Sequence, residues 1–200
     1  MEGYDKEQLY KRTINLYLES NPNPNSLKFV VNFILIKEGE SFDFSDAISA
    51  KRSPLALELF KRPEVDRVFF MNNFITITKK EEIEWDDIRE DLKVFIKDYL
   101  ENDKPLLDEE YEENQIDNEV ENDSEEVTKI KSILDEYIKP AVESDGGAII
   151  FDSFEKGVVK VQLQGSCSGC PSSTLTLKSG IENLLKSMMP EVQSVEAESI

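Results

Sequence analysis

The chain has no histidine and only two cysteines in 200 residues. The first absence removes imidazole as a metal ligand. The second confines every soft metal ligand and thiol nucleophile to Cys167 and Cys170, within the run Gly165-Ser166-Cys167-Ser168-Gly169-Cys170-Pro171-Ser172-Ser173. Basic residues are scarce as well: 23 against 42 acidic ones give a formal net charge of -19. An acidic field of that size attracts neither nucleic acid nor anionic lipid, so neither is expected as a partner. No apolar run approaches the roughly 20 residues of a membrane span. The first ten residues lack both the basic-then-apolar pattern of a secretory signal and the Arg-rich, acid-poor look of a transit peptide. Reduced thiols in the cytoplasm are therefore the expectation. A disulfide between Cys167 and Cys170 would close too small a loop to constrain the unfolded chain much.

What is present is unevenly distributed. From Glu101 to Glu126 there are 13 acidic residues and one basic residue, Lys104, so this segment carries -12 of the total. With few apolar residues and no helical periodicity, it cannot offset the entropy of ordering and reads as an acidic, disordered linker. The expected organisation is a loose N-terminus over 1–12, an α+β unit over 13–100, the linker over 101–126 and a second α+β unit over 127–200. A flexible tether of this length would let the two units move independently. It reads as a solvated spacer, or as an acidic lure for a basic client or a guard against wrong partners.

In the N-terminal unit, Ile14, Leu16 and Leu18 alternate with polar neighbours, and Leu27, Phe29, Val31 and Phe33 repeat the pattern after the break at Asn21-Pro22-Asn23-Pro24-Asn25. Two antiparallel strands are expected. Ser53-Pro54 reads as a cap followed by proline at the first helical position, and Pro63 closes that short helix. Val65 to Met71 and Phe74 to Thr78 form a hairpin through Asn72-Asn73, residues that tolerate positive φ. Trp85, Ile88, Leu92, Phe95, Ile96 and Tyr99 give a helix to residue 100. Trp85 and the phenylalanines read as core. Lys51-Arg52 and Lys61-Arg62, the basic clusters, read as solvated helix ends or a partner contact.

In the C-terminal unit, Val127, Ile130, Leu134 and Ile138 place an amphipathic helix over 125–138, which Pro140 stops or kinks. Asp145-Gly146-Gly147 turns the chain into a strand near 148–154, and Val159, Val161 and Leu163 make a second strand that runs into Gly165. Pro171 to Thr174 begins a helix with Leu177, Ile181, Leu184, Leu185 and Met188 on its buried stripe, and a short strand follows over 192–197. The cysteines thus fall between a strand end and a helix N-terminus, where unpaired N–H groups and the helix dipole favour thiolate. Gly165 and Gly169 let backbone approach whatever the sulfurs hold.

A C-x-x-C pair alone serves a dithiol redox couple, half a zinc site or half an iron-sulfur site. Zinc and iron-sulfur clusters take four ligands, and one chain supplies two thiolates. Two copies related by a two-fold axis supply four. A zinc-stapled dimer and a thiol-disulfide redox protein remain alternatives.

The run from Leu163 to Lys178, with Asp145-Gly146-Gly147 before it and Pro190-Glu191-Val192 after it, resembles the C-terminal domain of the NifU family, the Nfu-type iron-sulfur cluster scaffolds. Residues 14–100, with Asn21-Pro22-Asn23-Pro24-Asn25, Lys28-Phe29, Ser53-Pro54-Leu55-Ala56 and Phe69-Phe70, resemble the N-terminal domain of two-domain members. The resemblance implies a homodimer in which Cys167 and Cys170 of two subunits bind iron as a bridging 4Fe-4S cluster, in preference to 2Fe-2S. It implies receipt of the cluster from upstream assembly proteins and its transfer to apo iron-sulfur clients, with no catalysed substrate reaction. The N-terminal domain would help dock those clients. One feature departs from the family pattern: the linker here is long. The sequence also lacks the cysteine-rich central module of the longer nitrogen-fixation proteins, so no permanent 2Fe-2S site is expected.

Overall fold

The computed structural model describes residues 13–108, 123–168 and 171–199. It contains two α+β units, in keeping with the expected fold class. The first is built on a five-stranded antiparallel sheet of β1 (Leu16–Ser20), β2 (Ser26–Val31), β3 (Ser41–Phe44), β4 (Val65–Met71) and β5 (Phe74–Lys79), in the order β1-β2-β5-β4-β3. The β4–β5 hairpin turns at Asn72, whose φ of 45 is the left-handed geometry the sequence suggested. Helices α1 (Pro54–Phe60) and α2 (Trp85–Glu101) bury Leu55, Leu59, Leu92 and Ile96 against Phe29, Val31, Val68, Phe70, Ile75 and Ile77. Ser53 caps α1: its Oγ accepts from the Ala56 N–H at 3.1 Å and donates to the Leu106 carbonyl at 2.7 Å.

That second bond anchors the start of the acidic segment. Glu101 ends α2, Leu107 is buried in the N-terminal core, and the Asp108 N–H donates to the Arg52 carbonyl. Residues 109–122, the bulk of the expected linker, lie outside the described residues, as does the expected loose stretch 1–12. At the far end Ser124 caps α3 (Glu125–Ile133) by accepting from the Val127 N–H at 3.3 Å.

Pro140 does not stop this helix. The chain continues through a π-helical turn at Leu134–Ile138 into α4 (Lys139–Ser144), with the proline in the first turn of that segment. A first-turn N–H has no intrahelical partner to lose, and the widened turn accommodates the ring. Strands β6 (Gly147–Glu155) and β7 (Val158–Gly165) then form an antiparallel hairpin that turns at Lys156-Gly157, with φ of 50 and 81. Helix α5 (Pro171–Met188) crosses back to β8 (Ser194–Ser199), which pairs parallel to β7. Ile130, Ile133, Leu163, Ile181, Leu185 and Val195 form the core of this unit.

Strand β3 escapes the sequence reading because Ser41-Phe42-Asp43-Phe44 is too short to declare a period. It matters, since register aligns its residues with a second face of the sheet. Lys28 pairs with Thr76, Thr76 with Phe69 and Phe69 with Asp43; the next row runs Val30, Phe74, Met71 and Ser41. Val30, Phe69, Met71 and Phe74 form a small buried cluster completed by Ala148 of the other unit. The sheet is therefore covered on both faces, by its own helices and by the C-terminal unit. Hence the two units are docked, where the sequence led us to expect independent movement.

Candidate functional site

Strand β7 ends at Gly165, and Cys167 follows two residues later, ahead of α5. The Cys167 side chain is buried, 4% exposed, within the C-terminal core. Three glycines make this joint possible. A Cβ on Gly147 would lie 2.5 Å from the Gln164 carbonyl oxygen and 3.0 Å from the Cys167 sulfur. On Gly165, whose φ is +63, it would lie 2.7 Å from the Gly146 carbonyl oxygen and 2.8 Å from the Phe69 ring. On Gly146, with φ +81, it would meet Lys28 and Thr76 at 2.7 and 2.9 Å. Any side chain here collides with backbone or with the N-terminal sheet. The close approach observed at Gly165 is to Phe69 and Gly146.

Five side chains of the N-terminal unit hold this joint. Asn23 Nδ2 donates to the Ser166 carbonyl at 2.9 Å, and Thr76 Oγ1 donates to the Gly146 carbonyl at 2.8 Å. Asp43 Oδ2 accepts from the Gly165 N–H at 3.1 Å and from Arg67 at 2.7 Å. Ser41 Oγ donates to Gln164 Oε1 at 2.9 Å, and Lys28 Nζ donates to the Ser144 carbonyl at 3.1 Å. Lys28 is itself buried, with Glu19 at 3.1 Å and the Phe74 ring centroid 4.5 Å from its ammonium. Within the joint, the Ser166 N–H donates to the Gly146 carbonyl and its hydroxyl to the Asp145 carbonyl.

Burial at this seam disfavours charge. It pushes the Asp43 carboxyl above its ordinary value, against the pull of the Arg67 guanidinium and the Gly165 N–H. Desolvation likewise raises Glu143 and Asp145, with Lys139 opposing the shift at the first and Lys28 at the second.

Of the two candidate ligands, the structure places Cys167 at the strand-to-helix joint, while Cys170 and Gly169 lie outside the described residues. Among the described residues no group of three or more His, Cys, Asp or Glu side chains could hold a metal ion. The sequence reading missed Asn23, Ser41, Asp43 and Thr76. Their signal was indirect: Val30, Phe69, Met71 and Phe74 are apolar on the strand positions that alternate with the core, which marks a sheet buried on both faces.

Comparison with known proteins decides the ancestry. Residues 16–103 match the family model for the scaffold protein Nfu/NifU N terminal, and residues 130–196 match the NifU-like domain. The chain belongs to the Nfu-type NifU family. A relative from Drosophila willistoni, named as a mitochondrial NFU1 iron-sulfur cluster scaffold homolog, is 44% identical over 187 residues, covering 93% of this chain and 64% of the relative. The protein of the same name from Drosophila grimshawi is 46% identical over 179 residues, covering 89% of this chain and 59% of that one. This Nfu-type chain therefore spans less than two thirds of the length of these relatives. A NifU-like protein from Saccharomyces cerevisiae, solved in solution, covers 55% of this chain and 93% of its own at 21% identity and a TM-score of 0.44, too distant a match to add to the fold or the function.

These relatives correct one expectation. Their names place them in mitochondria, which points away from the cytoplasmic setting inferred from the chain's first ten residues and its thiols. Those residues report local composition, and composition alone does not fix a destination for an Nfu-type chain matching only part of its relatives. No described helix is long and apolar enough to cross a membrane.

Proposed function

We propose that this Nfu-type protein is an iron-sulfur cluster scaffold and carrier, in which the thiolates of Cys167 and Cys170 from two copies hold a bridging 4Fe-4S cluster as cargo. The observation that carries the reading is the 44% identity, across 93% of the chain, to a relative named as an iron-sulfur cluster scaffold. The donor set supports it: with no histidine and two cysteines, one chain provides half of a four-thiolate site, and a two-fold axis provides the rest.

Delivery proceeds by ligand exchange without catalysis of a substrate reaction. A client thiolate forms a new iron-sulfur bond as the bond from Cys167 or Cys170 breaks, with no net change of oxidation state. Upstream assembly proteins supply the cluster and apo iron-sulfur proteins accept it, in the mitochondrial setting that the relatives' names suggest. Iron and thiolate are well matched for such exchange, and a site at a subunit seam gives up its contents readily.

The test is anaerobic reconstitution of the full chain with ferrous iron and sulfide, followed by absorption spectroscopy, iron analysis and native mass. The expected product is brown, dimeric, and carries about four irons per dimer. Cys167→Ser and Cys170→Ser should each abolish cluster binding while leaving the circular dichroism unchanged. A mutant dimer that keeps a full cluster sinks the assignment. A colourless monomer whose two thiols cycle with a dithiol reductant points to a redox protein instead.

A further inference from the structure

We propose that the N-terminal sheet is a latch on the cysteine joint: its second face holds Cys167 in a closed position, and the sheet must leave the joint before that thiolate can reach a second copy. The part concerning the second copy rests on the cluster reading above; the latch itself does not.

Three observations meet here. Cys167 is 4% exposed, whereas a sulfur shared across a two-fold axis has to face outward. The backbone groups leading into it are held from the other unit: the Gly165 N–H by Asp43, the Ser166 carbonyl by Asn23, and the Gly146 carbonyl beneath them by Thr76. Phe69 covers Gly165 so closely that a Cβ there would lie 2.8 Å from its ring. To swing outward, Cys167 has to carry Gly165 and Ser166 with it, and that motion breaks these bonds.

The contact is also built to open. The two main cores share no residue: one is drawn from residues between Ile14 and Leu107, the other from residues between Ile130 and Val195. Among the described residues, the one apolar cluster that spans the seam is the small group of Val30, Phe69, Met71, Phe74 and Ala148. A cleft of about 660 Å³, lined in part by Ser41, Met71, Lys131, Glu143, Ala148 and Phe151, runs into the same seam. Separation therefore exposes one small apolar cluster and a set of polar groups that water can satisfy, and the outward swing that follows takes Cys167 from the edge of its own unit's core.

The latch is tested on the cluster-free full chain in a Cys170→Ala background, which leaves Cys167 as the single thiol. The rate of its reaction with an aromatic disulfide reagent reports opening, and small-angle scattering reports separation of the units. Thr76→Val keeps shape and removes the bond that the N-terminal sheet makes to the Gly146 carbonyl, leaving that oxygen the Ser166 N–H of its own unit; Ser41→Ala and Asp43→Asn weaken other parts of the seam. We expect Thr76→Val to react about tenfold faster than its parent, with a larger radius of gyration, as loss of one buried hydrogen bond implies. Lys61→Ala, which removes an exposed pair with Glu58, should change neither quantity. Should Asp43→Asn fail to fold, Thr76→Val and Ser41→Ala carry the test. A thiol rate within about twofold of the parent, with or without an increase in radius, overturns the latch, as does a faster rate with no change in radius. Failure of the unmutated chain to take up iron and sulfide sinks the scaffold reading alone and leaves the thiol result standing.

Discussion

The two faces of the N-terminal sheet differ in kind. The face toward α1 and α2 is apolar throughout, with Phe29, Val31, Val68, Phe70, Ile75 and Ile77 packed among helix side chains. The face toward the cysteine joint mixes Val30, Phe69, Met71 and Phe74 with Lys28, Ser41, Asp43 and Thr76, and each of these four polar residues reaches the C-terminal unit. Apolar packing is non-directional, so the first face stabilises a fold without naming a partner. Hydrogen bonds to chosen carbonyls and one chosen N–H do name a partner, and each contributes only about 0.5–1.5 kcal/mol net. One face makes the domain; the other selects and reversibly holds the glycine-rich joint.

The sharpest way to separate the faces is to damage each in turn. Phe70→Ala, on the helix face, should cost about 3–5 kcal/mol and unfold the N-terminal unit, as read by chemical denaturation. Equal loss of stability from Phe69→Ala with the units still docked would erase the distinction. Gly165→Ala comes next. Its φ of +63, the 2.7 Å approach to the Gly146 carbonyl oxygen and the 2.8 Å approach to the Phe69 ring across the seam leave no room for a methyl group, so a loss of about 1–3 kcal/mol is expected. That loss should appear with a larger radius of gyration, because the collision lies at the seam.

A smaller effect follows from Asp43. Its carboxyl sits above the ordinary value of 3.8 because burial outweighs Arg67, so between those two values the folded state binds more protons than the unfolded one. Stability conferred by the protonated group is complete below 3.8 and falls as pH rises through the raised value. Asp43→Asn should remove that slope. Denaturation midpoints measured across acidic pH should converge between the two proteins at the low end; parallel profiles would show that Asp43 titrates normally.

Much of this was legible in the residues. Ser53-Pro54, Asn72-Asn73 and the stripe from Trp85 to Tyr99 gave their elements because caps, turn residues and 3.6-residue periodicity act locally. The C-x-x-C spacing and the surrounding glycines pointed to the joint for the same reason. What stayed hidden was the relation between the units. Lys28 and Thr76 alternate with core residues as any solvent-facing position does, and nothing local distinguishes water from a neighbouring carbonyl as their partner. The apolar residues beside them, Val30, Phe69, Met71 and Phe74, were the available clue. They read as ordinary strand composition, and β3, which supplies Ser41 and Asp43, was too short to register. The acidic charge of 101–126 suggested freedom, yet Leu107 and Asp108 at its start are tied into the N-terminal unit.

The most direct measurement is native-state amide exchange across a denaturant series, comparing the Gly165 N–H, which is bonded to Asp43 across the seam, with the amides of β2 and β5. If the seam is a latch, Gly165 should exchange through an opening of lower free energy and weaker denaturant dependence than the strand amides. Exchange of Gly165 through the same global opening as β2 and β5 would mean that the two units part only when the protein unfolds, and the two faces of the sheet would then be one core.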